Sequence, residues 1–249
     1  MTSRFHAAGV AVYVDEFDFS GVTSSAEIAV TNPTPEVTAF ADADATFVEG
    51  KPGFTITLNG FHSVAAPDYE GEMFIDLTAE NRQVGVYKDN LAGEMGFEGR
   101  TDLSRLAEPV QVSQALLLNV TWQGDTPLVQ SQLLYIATAV AASVNGTKFQ
   151  FGSIAATETR VGVLRLLASP GGAGSNDLVV TIESDADSLA GGETTRITFT
   201  TLNQASVATH EKVETAGAVT DTWWRAVITI TGAGTRTFSI LVTFGKRPT

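Results

Sequence analysis

Apolar and polar residues alternate with a period of two along much of the chain. The clearest runs lie in the second half. Val161, Val163 and Arg165 alternate with Gly162, Leu164 and Leu166. Similar runs follow at 178–182, 195–200, 224–230 and 237–244, rich in Val, Ile, Thr and Phe. Such residues suit a pleated, half-buried surface. Ser169-Pro170-Gly171-Gly172, Ala190-Gly191-Gly192 and Thr231-Gly232-Ala233-Gly234 punctuate the runs as turn clusters. Short strands with frequent turns and no helical period predict an antiparallel β-sandwich, jelly-roll-like, in this half.

The first half also reads as mostly strand. Ala11–Asp15 opens it, with Phe17 and Phe19 continuing the apolar face. Thr23–Val30 is a second strand, stopped by Asn32-Pro33 and Pro35. Phe54–Phe61 alternates cleanly, and Val84–Tyr87 is a short strand. Between them, Thr38–Phe47 is polar and Ala/Asp-rich, and reads as a long hairpin arm or loop. One helix is expected at Gly71–Glu80, with Met73, Phe74 and Leu77 on one stripe. Val112–Trp122 and Leu128–Ala142 are expected to form a final long hairpin turning near Gln123-Gly124-Asp125. These elements predict an α+β unit over residues 1–145 and a C-terminal sandwich over residues 146–249.

Charge strengthens that division. The chain has 249 residues and a net charge of −13, from 28 Asp/Glu and 15 Lys/Arg. Residues 1–150 hold 19 acidic and 7 basic side chains, and residues 151–249 hold 9 and 8. A chain this acidic is a poor holder of nucleic-acid phosphates. No apolar run is long enough for a membrane-spanning helix, and no secretory signal is read at the N-terminus. There is no cysteine, which excludes thiolate metal sites and cysteine nucleophiles. The three histidines, His6, His62 and His210, are widely separated.

Four features bear on chemistry. Glu183, Asp185 and Asp187 offer oxygen ligands of the kind calcium takes, but lack the glycine and bidentate glutamate of a calcium loop. The plainer reading is a solvated strand end. Ser169–Ser175 is glycine-rich, but strand rather than helix follows it, so it reads as a hairpin loop and not a phosphate cradle. Adjacent Trp223 and Trp224 must point to opposite faces of a strand, one into the core and one outward as a possible stacking surface. Asn119-Val120-Thr121 and Asn145-Gly146-Thr147 match the glycosylation pattern only by sequence. No serine lies in a nucleophile elbow and no carboxylate pair has acid–base spacing, so neither an enzyme nor a cofactor is expected.

The stretches 12–21, 35–40 and 47–61, with 181–187, 194–199, Trp223-Trp224-Arg225 and 238–245, resemble tail tube proteins of long-tailed, non-contractile phages. The resemblance implies a mainly β fold, a tail-tube-type sandwich or barrel with one helix. It implies homohexameric rings, or trimers of chains with two tube-like domains, stacked into a conduit for double-stranded DNA. Thr38, Phe40, Asp42, Asp44, Phe47 and Lys51 would belong to an arm reaching the next ring. The partners implied are the chain itself and other tail proteins (tape measure, tail terminator, distal tail), with passing DNA held loosely and no membrane. The protein would be made in the bacterial cytoplasm and reside in the virion. On this view residues 1–145 line the channel and residues 146–249 lie outside or form a second tube-like domain. The competing reading is a carbohydrate- or receptor-binding virion protein whose site lies around Trp223, Trp224 and the Glu183–Asp187 carboxylates.

Overall fold

The computed structural model describes residues 9–38, 44–48, 50, 52–61, 81–107, 117–171, 176–232 and 237–249. The described residues are nearly all β. The strands are β1 (Ala11–Val14), β2 (Phe17–Asp18), β3 (Thr23–Thr31), β4 (Gly53–Phe61), β5 (Arg82–Tyr87), β6 (Met95–Ala107), β7 (Leu117–Gly124) and β8 (Val129–Val140), then β9 (Val144–Asn145), β10 (Phe149–Gln150), β11 (Glu158–Ala168), β12 (Asp177–Asp185), β13 (Thr194–Thr198), β14 (Leu202–Asn203), β15 (Thr209–Ala216), β16 (Trp223–Thr231) and β17 (Phe238–Pro248). The expected helix at 71–80 lies outside the described residues.

Two compact units emerge. The first comprises residues 1–21, 83–98 and 129–249, and the second residues 22–82 and 99–128. This grouping differs from a division at residue 145, because β8 pairs with β17 from Val140↔Phe238 to Gln130↔Lys246. Strands from both sides of residue 145 therefore share one sheet.

In the first unit, one sheet runs β15-β11-β17-β8-β6-β5-β1-β2, with β6 represented here by Met95–Glu98. A second sheet runs β10-β16-β12-β13, with β9 and β14 at its margins. The alternation in β16 and β17 sends Trp224, Ala226, Ile228, Ile240, Val242 and Phe244 into the layer between the sheets. There they meet Leu178, Val180 and Ile182 of β12 and Leu164 and Leu166 of β11. Trp224 is stacked on Phe244, with ring centroids 4.0 Å apart. Complete burial of each such side chain contributes about 1.5–3 kcal/mol. The Ser169–Ser175 segment joins β11 in one sheet to β12 in the other; it does not close a hairpin.

The second unit is an antiparallel sheet ordered β3-β4-β7-β6, with β6 contributing from Gly99 onward. Phe54, Ile56, Leu58, Leu118, Val120 and Trp122 bury one face. The Phe54 ring occupies the space that side chains at Gly99 and Gly124 would need. A Cβ at Gly124 would come within 2.1 Å of that ring. The expected hairpin of the 112–122 and 128–142 segments does not form. β7 pairs with β4 and with residues 101–107 of β6, whereas β8 pairs with Met95–Glu98 of β6 and with β17.

Candidate functional site

The arm is an extension of the β3–β4 hairpin in the second unit. β3 and β4 pair from Ser25↔Asn59 to Thr31↔Gly53. Beyond them the chain continues antiparallel. Pro33 O accepts from Gly50 N at 2.7 Å, Pro35 O from Val48 N at 3.1 Å, and Thr46 O from Val37 N at 2.8 Å. The register slips by one residue between the Gly53 and Gly50 pairings. Pro33 and Pro35 have no N–H to return, so each of their pairs keeps one hydrogen bond of the usual two. Thr38 Oγ1 closes the described end of the ladder, accepting from Thr46 N at 2.9 Å and donating to Glu36 Oε1 at 2.6 Å.

Every described residue from Thr31 to Val48 is exposed. That includes Val37 at 49%, Phe47 at 60% and Val48 at 44%. Strand alternation places Pro33, Pro35, Val37 and Val48 on one face of the hairpin, with Glu36 and Phe47 on the other. Of the arm residues expected from sequence, Thr38, Asp44 and Phe47 are described and exposed. Phe40, Asp42 and Lys51 lie outside the described residues.

A second polar constellation lies inside the first unit and was not read from sequence. Arg165 and Glu98 are almost wholly buried and paired at 2.6 Å. Glu98 Oε1 accepts from Arg165 Nη1 and from the Tyr87 hydroxyl, each at 2.6 Å, and from Thr243 Oγ1 at 3.3 Å. Its Oε2 accepts from Arg165 Nη2 at 2.9 Å and Gln83 Nε2 at 2.6 Å. Arg165 Nε donates to Asp15 O at 2.6 Å. Gly85 leaves room for this carboxylate, since a Cβ there would lie 2.6 Å from Glu98 Oε1. Burial alone would raise the Glu98 carboxyl. The Arg165 charge and the donated hydrogen bonds outweigh it and hold Glu98 below the ordinary carboxylate range. Burial, reinforced by the Glu98 charge, pushes the Tyr87 hydroxyl well up.

This pair joins β11 to β6 and to the β1–β2 turn, strands far apart in the sheet order. The sheet therefore curls until its margins meet. His210 on β15 bridges to Asp15 at 3.2 Å and Glu16 at 3.0 Å on that turn. Asp15 adopts φ 51°, a left-handed conformation that Asp tolerates better than most residues. The arrangement ties the two margins of the curled sheet together by side chains. Both charged groups of the Arg165–Glu98 pair are engaged by several protein partners, as a structural cross-link requires.

The carboxylates at 183, 185 and 187 are engaged by cations and backbone. Arg225 donates to Glu183 at 3.0 and 2.8 Å. Lys148 contacts Asp185 at 2.5 Å and Glu193 at 3.1 Å, and also binds Leu189 O. Asp187 accepts from Leu189 N at 2.8 Å. The hydrogen bonds that Lys148 donates to Asp185 and Glu193 outweigh burial and hold its ammonium above the ordinary lysine range. These contacts clamp the 186–193 loop. Among the described residues, no group of three or more His, Asp or Glu side chains is placed to hold a metal ion. Trp224 is fully buried, its Nε1 donating to Gly152 O at 2.9 Å. Trp223 is half-buried on the opposite face, between Gln150 and Asp185 in register. Among the described residues, no helix is long and apolar enough to cross a membrane.

No family model and no curated protein matches the chain. Among solved structures it is similar to a chain in the virion of a native gene transfer agent particle. That match has 12% identity and a TM-score of 0.41, and covers 51% of this chain and 98% of that one. It is also similar to the SPP1 Dit protein, with 8% identity and a TM-score of 0.38, over 96% of this chain and 99% of that one. A phage p2 baseplate chain in the activated conformation with Sr matches at 9% identity and a TM-score of 0.34, over 96% and 98%. These neighbours come from a gene transfer agent virion, a phage adsorption hub and a phage baseplate.

Proposed function

We propose that this chain is a structural protein of a phage tail, with no enzymatic activity. It self-assembles into rings, hexameric or of three chains with two wall domains each, that stack into a conduit for DNA. The observation that carries this reading is the arm. It presents Val37, Phe47 and Val48 to solvent on a hairpin with a depleted hydrogen-bond ladder. Exposed apolar side chains at a projecting hairpin mark a contact surface. The weak ladder suits a segment that takes its final course only when it meets a neighbour. The excess of 28 acidic over 15 basic residues supports a conduit to which duplex DNA does not adhere. Head-to-tail contacts of this kind do not close on themselves and generate open tubes.

The test compares the full chain with a variant in which residues 34–48 are replaced by a short turn. Sedimentation and negative-stain electron microscopy should show rings or tubes for the full chain. The variant should keep its β-sheet circular dichroism and stop before stacked rings. A full chain that stays monomeric at high concentration, or a variant that forms unchanged tubes, defeats the reading.

A further inference from the structure

In the second unit, the face of the β3-β4-β7-β6 sheet opposite the buried one carries an unusual set of side chains. Its two central strands present Thr55, Thr57 and Asn59 from β4 beside Asn119, Thr121 and Gln123 from β7. Thr57 stands opposite Thr121, Asn59 opposite Asn119 and Thr55 opposite Gln123. All six are uncharged, and each is half-buried or exposed. Among the described residues of these strands, charges on this face occur at the flanking strands, with Glu27 on β3 opposite Thr57, and Asp102 and Arg105 on β6.

These side chains are held in place. Thr57 and Thr121 hydroxyls lie 3.3 Å apart, Asn59 Nδ2 donates to Ser25 Oγ at 3.0 Å, and Gln123 Nε2 donates to Phe54 O at 2.9 Å. Amides and hydroxyls both donate and accept, and retain capacity beyond these bonds. The strands space them about 4.8 Å across the sheet, and alternate residues recur about 6.7 Å along it. At the end of the same face stands Phe61, 49% exposed.

We infer that this face binds a neutral polysaccharide. Sugar hydroxyls are themselves mixed donors and acceptors, and rows of ordered amides and hydroxyls match them without charge. The Phe61 ring offers an apolar surface for a sugar's C–H face. Other occupants fit less well. Glu27 and Asp102 repel polyanions, with Arg105 the one opposing charge on this face among the described residues. Stacking of a second copy's sheet needs an apolar face, which this is not. Pre-ordered side chains lower the cost of binding, and many copies in an assembly would multiply a weak contact.

The test is affinity electrophoresis of the full chain in native gels containing dextran, mannan, galactan or β-glucan. Hyaluronate and duplex DNA serve as anionic controls. At least one neutral polymer should slow the chain, and neither control should. The double variant Thr57→Ala/Thr121→Ala should bind at least tenfold more weakly at unchanged melting temperature. Phe61→Ser, altering an exposed ring, gives a second reading if the double variant folds poorly. Trp223→Ala, in the other unit, should bind normally. The inference is overturned if no neutral polymer retards the chain. It is also overturned if retardation survives both face variants, is lost only with Trp223→Ala, or is matched by hyaluronate or DNA.

Discussion

Glu98 remains charged in the interior of the first unit because Arg165 and the hydrogen bonds donated to it replace its water. The arrangement predicts a specific acid response. The folded carboxyl titrates below its unfolded value. It therefore adds stability above the ordinary glutamate value of about 4.3 and loses that contribution as the pH falls further. Glu98→Gln should flatten the fall in melting temperature below about pH 4 and cost about 3–5 kcal/mol at neutral pH, since Arg165 stays buried without its partner. An unaltered acid limb would show that Glu98 is not charged in the fold. Tyr87 behaves in the opposite sense. Its raised hydroxyl adds stability below about pH 10 that is lost as the pH climbs higher. Guanidinium unfolding across the pH range measures both limbs.

At the scale of the element, packing around Phe54 explains two glycines in strands, a position where glycine weakens the backbone. Gly124→Ala should push the Phe54 ring aside and destabilise the protein by about 1–3 kcal/mol, read as a lowered melting temperature without loss of sheet. Alternation made β4, β12, β16 and β17 legible because one face of each is apolar. The opposite orientations of Trp223 and Trp224 followed from the same rule. β6 was hidden because its inward positions include Glu98 and Thr101, which look solvent-facing until Arg165 is known to be opposite. Arg165 itself was the available signal, a cation in phase with Val161 and Val163 in an apolar strand. β15 was hidden because an edge strand protects itself with charges such as Glu211, Lys212 and Glu214. The arm was legible as a hairpin or loop from its polar tract, but Pro33 and Pro35 read as the end of β3, whereas the antiparallel ladder continues through them. The one-residue slip and the missing ladder bonds needed coordinates. Likewise, no spacing could tell that Lys148 and Arg225, distant in sequence, neutralise the carboxylates at 183 and 185.

At the scale of the molecule, order along the chain and order in the sheet part company. β17 holds the last eleven strand residues and sits between β8 and β11, bonded to both. The sandwich core takes Leu134 and Val140 from the chain before residue 145, and its other buried members from beyond it. Acidity follows the compact units too. Residues 22–82 and 99–128 hold 13 Asp/Glu against four Lys/Arg, a net −9 within the total of −13. The charge contrast between chain halves thus reflects the second unit, which lies wholly before residue 129. A fragment of residues 1–145 lacks β11 and β17, so β8 loses its partner on one side and Glu98 is left without Arg165. The open edge and the unpaired charge both oppose folding. The fragment should therefore be insoluble or show no cooperative melting, whereas the full chain melts in a cooperative transition. Circular dichroism melts and limited proteolysis of the fragment and the full chain decide the matter. A soluble, cooperatively melting fragment would mean that the first 145 residues form a domain of their own and that β17 joins a sheet already made.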